Sequence, residues 1–477
     1  MTEKISSLSS RGLGGHLGVA QQERPCVFCG KDTAIRVHHA PAHGGCWEQA
    51  GRPAQLPGAT TPTDDPGPSQ PPAAEPRRRN PTAESGFTVE PAAEQRDFLA
   101  ALRRRVPDAS PQDAAVALER WHEHVQVSGQ PLRFVSNAGR TGIVAFEWLT
   151  ARHGAMRMPA QLASERAWEL ARSQRVLRVL SWTDPEVPLT PEQHVVETDV
   201  HAQYLAAAHS TKCGDGEPDQ LDTDELAGID PLALVKVPGY LTLAAAPDLR
   251  SCPPHVQHAF AGLEPGSVLP TPLAAYLVRD HQVALPLESA VAWWRDRRDE
   301  HGKTIHPYGP RLSRWAGLFV PAREQLLRAR HDGDHAAGLA VQVLKSTYST
   351  FLGGLLRSVE HNDTDTLRPD WSDQVMAQAS ANMLRHLDKV WAASAARPLG
   401  GMKDAVWWPT DTTLTLPEGL QISDEHAERP WQPGKWHPTR WTPATDEIRT
   451  AHTNGTPTAL RKAIISGDHT RRANRKS

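Results

Sequence analysis

The sequence lacks several features that would assign it to a familiar class. It has no run of about 18 apolar residues and no apolar segment near its start, so it predicts a cytoplasmic protein with no membrane partner. Its formal net charge is only -3, so nucleic-acid binding would have to depend on local basic patches. Cysteine is scarce: there are five, and three of them lie between positions 26 and 46. Such clustering favours a metal site over a disulfide framework.

The clustered cysteines have the spacing of a zinc ribbon. Cys26 and Cys29 form one pair, His43 and Cys46 form a second, and two residues separate the members of each pair. This spacing allows two short turns to present four ligands to one tetrahedral Zn²⁺. The adjacent His38–His39 pair offers rival ligands for the third position. A closed four-ligand set has no open coordination position, so we expect a role in architecture or DNA contact.

The remaining composition predicts an α+β body with disordered attachments. Prolines are concentrated after the ribbon, in a segment without apolar periodicity, which cannot bury enough surface to fold. The predicted segments are a disordered tail (1–22), a zinc ribbon (23–50), a proline-rich linker (51–90), a helical N-terminal region (91–190), a large body (191–415) and a C-terminal region with a basic tail (416–477). The predicted elements include helices at 95–106, 165–176, 287–298, 335–358 and 370–396, strands at 176–182 and 235–244, and a capping box at Ser110 and Asp113.

The first candidate for chemistry is Asp199. The stretch His194–Val200 has the pattern of a short β-branched strand, and an alanine-rich helix follows it. A carboxylate at a strand end can bind a metal ion, because the strand fixes its direction while one side stays open. Tyr204 would then lie about one helical turn further along, facing whatever the metal holds. Alternatively, Asp199 is the N-cap of the helix.

Two later segments could meet Asp199 in space. Lys345 shares one face of the predicted helix 335–358 with Tyr348, Ser349 and Gly353, and there it can hold a polyphosphate as a point charge. It can also be an ordinary solvated lysine. Asp404 follows a glycine-rich turn and precedes a strand in which Trp407 and Trp408 would face opposite sides. Its alternative role is a turn residue bonded to its own backbone.

Together these residues predict a site for nucleotidyl transfer. Asp199 and Asp404 on neighbouring strands can hold a pair of Mg²⁺ ions, which activate an attacking hydroxyl and stabilise the departing pyrophosphate. Lys345 would neutralise a triphosphate from the helix above. Tyr204 would lie under the sugar and leave no room for a 2′-hydroxyl.

Three stretches resemble the motifs of family B DNA polymerases, in the protein-primed branch found in phages and adenoviruses. Asp199–Tyr204 resembles motif A, Lys345–Gly353 is similar to motif B, and Lys403–Val406 resembles part of motif C, in the family's order. The resemblance implies a fold with palm and fingers. It also implies catalytic roles for Asp199, Asp404 and Lys345, and nucleotide-binding roles for Tyr204, Val200, Tyr348, Ser349 and Gly353.

The chain also resembles the telomere-associated proteins of linear actinobacterial chromosomes and plasmids. The similarity covers roughly residues 130–466 and includes Arg133–Gly142, Leu273–Asp280 and Pro438–Trp441. It implies binding of single-stranded 3′ DNA ends in the nucleoid and recruitment of a terminal protein that primes end patching.

The chain also departs from the motifs of a working polymerase. Ser349 and Leu352 replace the usual Asn and Tyr of motif B, Met402 replaces the first Asp of motif C, and Leu205 follows the tyrosine of motif A. Three functions therefore stay open. The chain is an end-replication protein that transfers a deoxynucleotide to the terminal protein, a catalytically inactive scaffold on the same fold, or a zinc-ribbon DNA-binding regulator. We predict no exonuclease activity.

Overall fold

The computed structural model describes residues 17–25, 32–37, 40–41, 90–151, 165–173, 175–298, 301–355, 368–422 and 432–467. The chain divides into two compact units, Met1–Glu84 and Ser85–Ser477. The first unit contains a three-stranded antiparallel sheet of β1 (Leu17–Pro25), β2 (Asp32–Val37) and β3 (Ala40–Pro41). The zinc ligands that we predict, Cys26, Cys29, His43 and Cys46, lie outside the described residues, as do His38 and His39.

The second unit mixes helices and strands, which confirms the predicted α+β class. Its strands are β4 (Gln126–Val127), β5 (Gln130–Pro131), β6 (Ser181–Thr183), β7 (His194–Val200), β8 (Cys213–Gly214), β9 (Asp219–Leu221), β10 (Gly239–Leu243), β11 (Val268–Pro270), β12 (Leu287–Ala292), β13 (Arg297–Arg298), β14 (Thr304–Ile305), β15 (Tyr308–Gly309), β16 (Gly400–Met402), β17 (Ala405–Thr410) and β18 (Trp436–Pro443). Its helices are α1 (Pro91–Arg103), α2 (Pro111–His124), α3 (Ala138–Ala151), α4 (Glu165–Arg172), α5 (Gln203–Ser210), α6 (Thr223–Ala227), α7 (Pro231–Leu234), α8 (Pro254–Ala259), α9 (Thr271–Ala275), α10 (Ser313–His331), α11 (His335–Thr350), α12 (Pro369–Ser394), α13 (Asp446–Asn454) and α14 (Pro457–Gly467). Two π-helical turns, Tyr276–Asp280 and Phe351–Leu355, continue α9 and α11.

A five-stranded antiparallel sheet carries the candidate site. Its strand order is β18-β7-β17-β16-β6, so β7 is covered by β17 on one side and by β18 on the other. Side chains alternate between the two faces of a strand. Val195 and Trp407 accordingly pack in one core with Ile464 of α14, whereas Val196 and Trp408 pack in another core. Both faces of the sheet are thus buried, and the two tryptophans face opposite sides as predicted.

The second sheet and the helical body surround this central sheet. The second sheet has the order β11-β10-β12-β9, and its Leu241 shares a core with Leu384 of α12. The helical body packs α1, α2, α3, α10 and α11 around a separate core, in which Phe98, Trp121 and Phe134 meet edge to face. Helix α11 reaches from this body toward the end of β7.

Local signals predicted several elements well. Helix α2 begins with the predicted capping box, because the Ser110 side chain accepts from the backbone of Asp113 and the Asp113 side chain accepts in return. The predicted helices at 95–106, 165–176 and 370–396 correspond to α1, α4 and α12, with ends shifted by a few residues. The strand predicted at 235–244 is present in part, as β10.

Three predicted elements differ from the structure. The helix predicted at 287–298 is wrong: β12 pairs there with β10 and β9, since burial between two strands outweighs the helix propensity of its Leu, Glu and Ala residues. The strand predicted at 176–182 shrinks to β6 and an isolated bridge between Val176 and Val268. The helix predicted at 335–358 leaves the α-helical form after Thr350 and continues as a π-helical turn. No helix in the described ranges is long and apolar enough to cross a membrane.

Candidate active site

Two strands bring Asp199 and Asp404 together. Asp199 lies near the end of β7, and its register partner on β17 is Ala405, the residue after Asp404. The backbone N–H of Val200 donates to the carbonyl oxygen of Asp404 at 3.3 Å. These contacts hold the two aspartates side by side, although a large part of the chain separates them in sequence.

The backbone around each aspartate explains its position. Asp404 is the second residue of a two-residue turn between β16 and β17, and Lys403 occupies the first position with a φ of 62°. Asp199 is not the N-cap of α5, because that position belongs to Ala202, which has a φ of 46° and makes no side-chain cap. The alternative role of Asp199 is thus excluded, and its carboxylate is available at the strand end.

The pair carries negative charge that nearby groups do not compensate. Burial raises the pKa of Asp199 to about 7, and the charge of Asp404 and a hydrogen bond with it act in the same direction. The positive charge of Lys345 opposes this shift without cancelling it. The Oδ1 atom of Asp199 is buried and has no hydrogen-bond partner among the residues that the structure describes.

These properties fit a divalent cation. Mg²⁺ and Mn²⁺ prefer carboxylate oxygens, and a cation between the two aspartates would both remove their repulsion and satisfy the buried Oδ1. Asp199 and Asp404 are the residues that would hold it.

Lys345 and Tyr204 approach the pair from the helical side. Lys345 is exposed on α11, close enough for its charge to act on Asp199. The Tyr204 ring packs against the helical core, and burial raises the pKa of its hydroxyl above the ordinary value, with further contributions from Asp404 and Asp199. Tyr204 therefore stays neutral at physiological pH, and the structure brings all four of these predicted residues to one region.

The remaining predicted residues have structural contacts of their own. Val200 is buried on the face of the sheet opposite Asp199. Tyr348 is buried; burial raises the pKa of its hydroxyl, while Arg323 opposes the shift through its charge and a hydrogen bond. The Ser349 hydroxyl donates to the carbonyl of Lys345 within α11. Gly353 lies in the π-helical turn and has open space where a Cβ would stand.

Sequence reasoning missed two histidines and an arginine beside the pair. His437 on β18 is the register partner of Asp199, and its ring stacks on His201 at a centroid distance of 3.8 Å. Burial lowers the pKa of His201 to about 3 and that of His437 to about 4, and the charges of Arg323 and Lys345 add to both shifts. The Nη2 of Arg323, a buried residue of α10, lies 3.3 Å from Nδ1 of His201. The imidazoles are therefore neutral and do not balance the carboxylates.

A second acidic cluster lies elsewhere and is already neutralised. Asp184, Glu186 and His258 bring their ligand atoms within 4.8 Å of one another. The Arg397 guanidinium, however, donates to both oxygens of Asp184 at 2.8 Å and to Glu186 at 2.9 Å. We assign this cluster as an ion-pair network that ties the segment before β7 to the one after α12.

Known proteins resemble this chain in structure only. No protein-family model and no curated protein matches the sequence. Solved structures of Phi29 DNA polymerase are similar: the post-translocation binary complex with primer-template DNA has a TM-score of 0.41 at 15% identity and covers 69% of this chain and 55% of that chain. The complex with single-stranded DNA has a TM-score of 0.40 at 13% identity, with the same coverage of 69% and 55%. The chain thus spans about half the length of the solved structures that it matches.

Proposed function

We propose that this protein acts at DNA ends and transfers a deoxynucleotide with two divalent metal ions bound by Asp199 and Asp404. The observation that carries the proposal is the pair itself: two adjacent carboxylates whose repulsion raises the pKa of one of them and leaves its Oδ1 without a partner. Structural ion pairs rarely leave such a charge uncompensated, whereas sites that bind a cation do so before the cation arrives.

The chain's own residues would divide the work at this site. Bound Mg²⁺ would supply Lewis-acid activation of the attacking hydroxyl and stabilise the leaving pyrophosphate. Lys345, exposed on α11 above the pair, would hold the triphosphate by its charge. Tyr204 would support the sugar, and its ring would exclude a 2′-hydroxyl, which selects deoxynucleotides.

The finer assignment is a role at the telomeres of a linear replicon. Its support is the resemblance of residues 130–466 to actinobacterial telomere-associated proteins and that of the three motifs to protein-primed polymerases. On this proposal the protein binds single-stranded 3′ ends and recruits a terminal protein, whose hydroxyl receives the first nucleotide. The N-terminal cysteines and His43 would hold a structural Zn²⁺.

A catalytically inactive scaffold is the second candidate. The observation that favours it is Met402, which occupies the position of the first motif C carboxylate. Met402 lies on β16, pairs with Ala405, and its half-buried side chain packs against the core below α14. A thioether at that position offers Mg²⁺ no hard ligand, so the metal site has at most two carboxylates.

A labelling assay separates the two candidates. Full-length protein, terminal protein, single-stranded telomeric DNA, Mg²⁺ and a labelled deoxynucleotide are incubated together, and label on the terminal protein is counted. We expect Asp199→Ala and Asp404→Ala to reduce labelling by at least a hundredfold, which is typical for loss of a metal ligand. Asp411→Ala removes an exposed carboxylate shortly after β17 and should leave labelling unchanged. Labelling by wild type that is no greater than that of Asp199→Ala, with DNA binding intact in both, would establish the scaffold instead.

A further inference from the structure

A cleft lies behind the catalytic strand, on the face of the central sheet opposite Asp199. Val200 lines it, and neighbouring residues on a strand point to opposite faces. The first turn of α5, the middle of α12 and the backbone at Gly434 form the other walls. Its volume of about 170 Å³ is room for roughly six water molecules at ~30 Å³ each. That is the size of a single base and well below the roughly 300 Å³ at which drug-sized ligand sites begin.

One wall of the cleft presents a buried acceptor that lacks a donor. Gln203 is only 5% exposed, and its Nε2 donates to the carbonyl of Ala379 at 2.8 Å. A carbonyl can only accept, so this bond fixes which amide atom is nitrogen and leaves Oε1 as an acceptor. Within the described part of the chain, Oε1 has no hydrogen-bond partner. A buried amide oxygen left in this state costs free energy, and a ligand N–H would remove that cost.

His386 adds a second polar group to the same wall. Burial lowers the pKa of His386 to about 4, helped by the charges of Lys389 and Lys435, so the ring is neutral. Its buried Nδ1 likewise has no partner among the described residues, and its ring packs edge to face against Trp436 at 6.2 Å. A neutral imidazole can donate or accept there, according to its tautomer.

The rim of the cleft is cationic. Lys389 is exposed at the edge, one turn of α12 from Arg385. Arg385 is engaged, because its Nε donates to Asp280 at 2.6 Å. Lys389 is thus the cation placed to meet an anion that leaves the cleft, while the buried Met383 provides an apolar wall.

We propose that this cleft binds one unpaired nucleotide of single-stranded DNA. The base enters and donates an amino hydrogen to Oε1 of Gln203, and Lys389 contacts the adjoining phosphate. The choice of DNA as the ligand rests on the proposed function, but the cleft shares no side chain with the carboxylate pair. It would hold a strand on the far side of the sheet from the reacting groups.

The acceptor on Gln203 makes a prediction about base preference. Cytosine and thymine have nearly the same size, but cytosine carries an amino donor where thymine carries a carbonyl oxygen. Fluorescently labelled oligo(dC) and oligo(dT) of about 15 nucleotides match the site sizes of single-strand binders. Anisotropy titrations are run on the full-length protein in EDTA at slightly alkaline pH. We expect oligo(dC) to bind about fivefold more tightly, the effect of one net hydrogen bond.

Gln203→Met tests the assignment to this atom, since it keeps the side-chain length and removes the acceptor. We expect the preference for oligo(dC) to disappear while the affinity for oligo(dT) stays within about twofold. Equal binding of the two oligonucleotides by wild type, or an unchanged preference in Gln203→Met, overturns the proposal. Thermal unfolding of the variant serves as the check on its fold.

The rim gives an independent test that does not disturb the interior. Lys389→Ala should weaken both oligonucleotides alike and lower the slope of log Kd against log salt by about 0.7, the value for one phosphate on a single strand. Lys236→Ala removes an exposed lysine that does not line the cleft, and it should change neither quantity. An unaltered salt slope in Lys389→Ala overturns the proposal.

Two further arms separate the sources of an effect. Free dCMP at the concentrations used for the oligonucleotide should not displace it, and displacement would assign the cleft to mononucleotides instead. Asp199→Asn should bind both oligonucleotides as wild type does, because EDTA removes any metal. Loss of nucleotide transfer with the oligo(dC) preference retained would therefore refute only the proposed function, and the reverse result would refute only the cleft.

Discussion

The charge on Asp199 should be a measurable burden on the native state. Replacing Asp199 by Asn keeps the shape of the side chain and removes its repulsion with Asp404. In the absence of divalent cations, we therefore expect Asp199→Asn to be more stable than wild type at pH values above 7. An asparagine in place of a metal ligand that stabilises the apo-protein is a distinctive result, because most substitutions destabilise.

The magnitude follows from the shift in pKa. The ordinary value for this group is 3.8 and the native value is about 7, so the native state holds the proton more tightly. Each pKa unit corresponds to ~1.4 kcal/mol, which sets an upper limit of about 4 kcal/mol on the cost of ionisation. Since water reaches one side of the half-buried carboxylate, we expect ~2 kcal/mol in practice.

The sign of the pH dependence is equally specific. Between the unfolded and the native pKa of Asp199, the native state binds more protons than the unfolded state. The free energy of unfolding contributed by Asp199 thus decreases as pH rises through this interval and is constant outside it. The difference between variant and wild type should accordingly be absent near pH 4 and complete above pH 7.

Urea unfolding followed by tryptophan fluorescence, over this pH range in EDTA, measures the effect. Mg²⁺ or Mn²⁺ should then stabilise wild type, by ~2.7 kcal/mol at a hundred times the dissociation constant, and should leave Asp199→Asn nearly unchanged. A wild type that is as stable as the variant above neutral pH without metal, or a pH-independent difference, would refute the electrostatic reasoning.

Asp388→Asn is a control of opposite sign. Burial raises the pKa of Asp388, but hydrogen bonds from His255 and His281 outweigh it and lower the pKa to about 2. This group stabilises the fold above its ordinary pKa and loses that contribution as pH falls toward the native value. Its replacement should cost ~2 kcal/mol at neutral pH, with no response to divalent cations.

Three other changes test separate parts of the structure. Lys403→Gly should raise the free energy of unfolding by ~1 kcal/mol in urea titrations, because the φ of 62° suits glycine, whereas Lys403→Ala should bring no gain. Glu197→Gln should lower it by ~3 kcal/mol, since buried Glu197 pairs with Arg440; a change below 1 kcal/mol would contradict that role. We also predict one Zn²⁺ per chain by elemental analysis, lost in Cys26→Ser and retained in Cys252→Ser; a wild type without zinc would refute the predicted ribbon.

Short-range patterns predicted the chemistry of the site. Asp199 was identified because β-branched residues before it and alanines after it mark a strand that turns into a helix. Asp404 was identified because a glycine-rich turn precedes an alternating strand. The opposite orientations of Trp407 and Trp408 follow from the pleat alone, and each indole N–H then finds a partner on β7, Glu197 or Thr198.

What no local pattern could predict is the neighbourhood that tertiary structure creates. His437 lies beside Asp199 only because β18 pairs with β7 in one register, and a bulge between Pro438 and Arg440 shifts that register. Arg323 lies on a long amphipathic helix, where its burial depends on which face meets the sheet. Gln203 stands next to Tyr204 in sequence but faces α12, and its unpaired oxygen is visible only once that helix is in place.

The lateral position of β18 has a consequence for biosynthesis. Strand β7 is flanked on one side by residues 436–443, so during translation its backbone amides on that side stay without partners until the ribosome has released almost the whole body. An exposed edge rich in valine is a template for pairing with another chain. Transcripts that end before Trp436 should therefore yield insoluble or rapidly degraded polypeptide, even though every carboxylate and lysine of the site has by then been made.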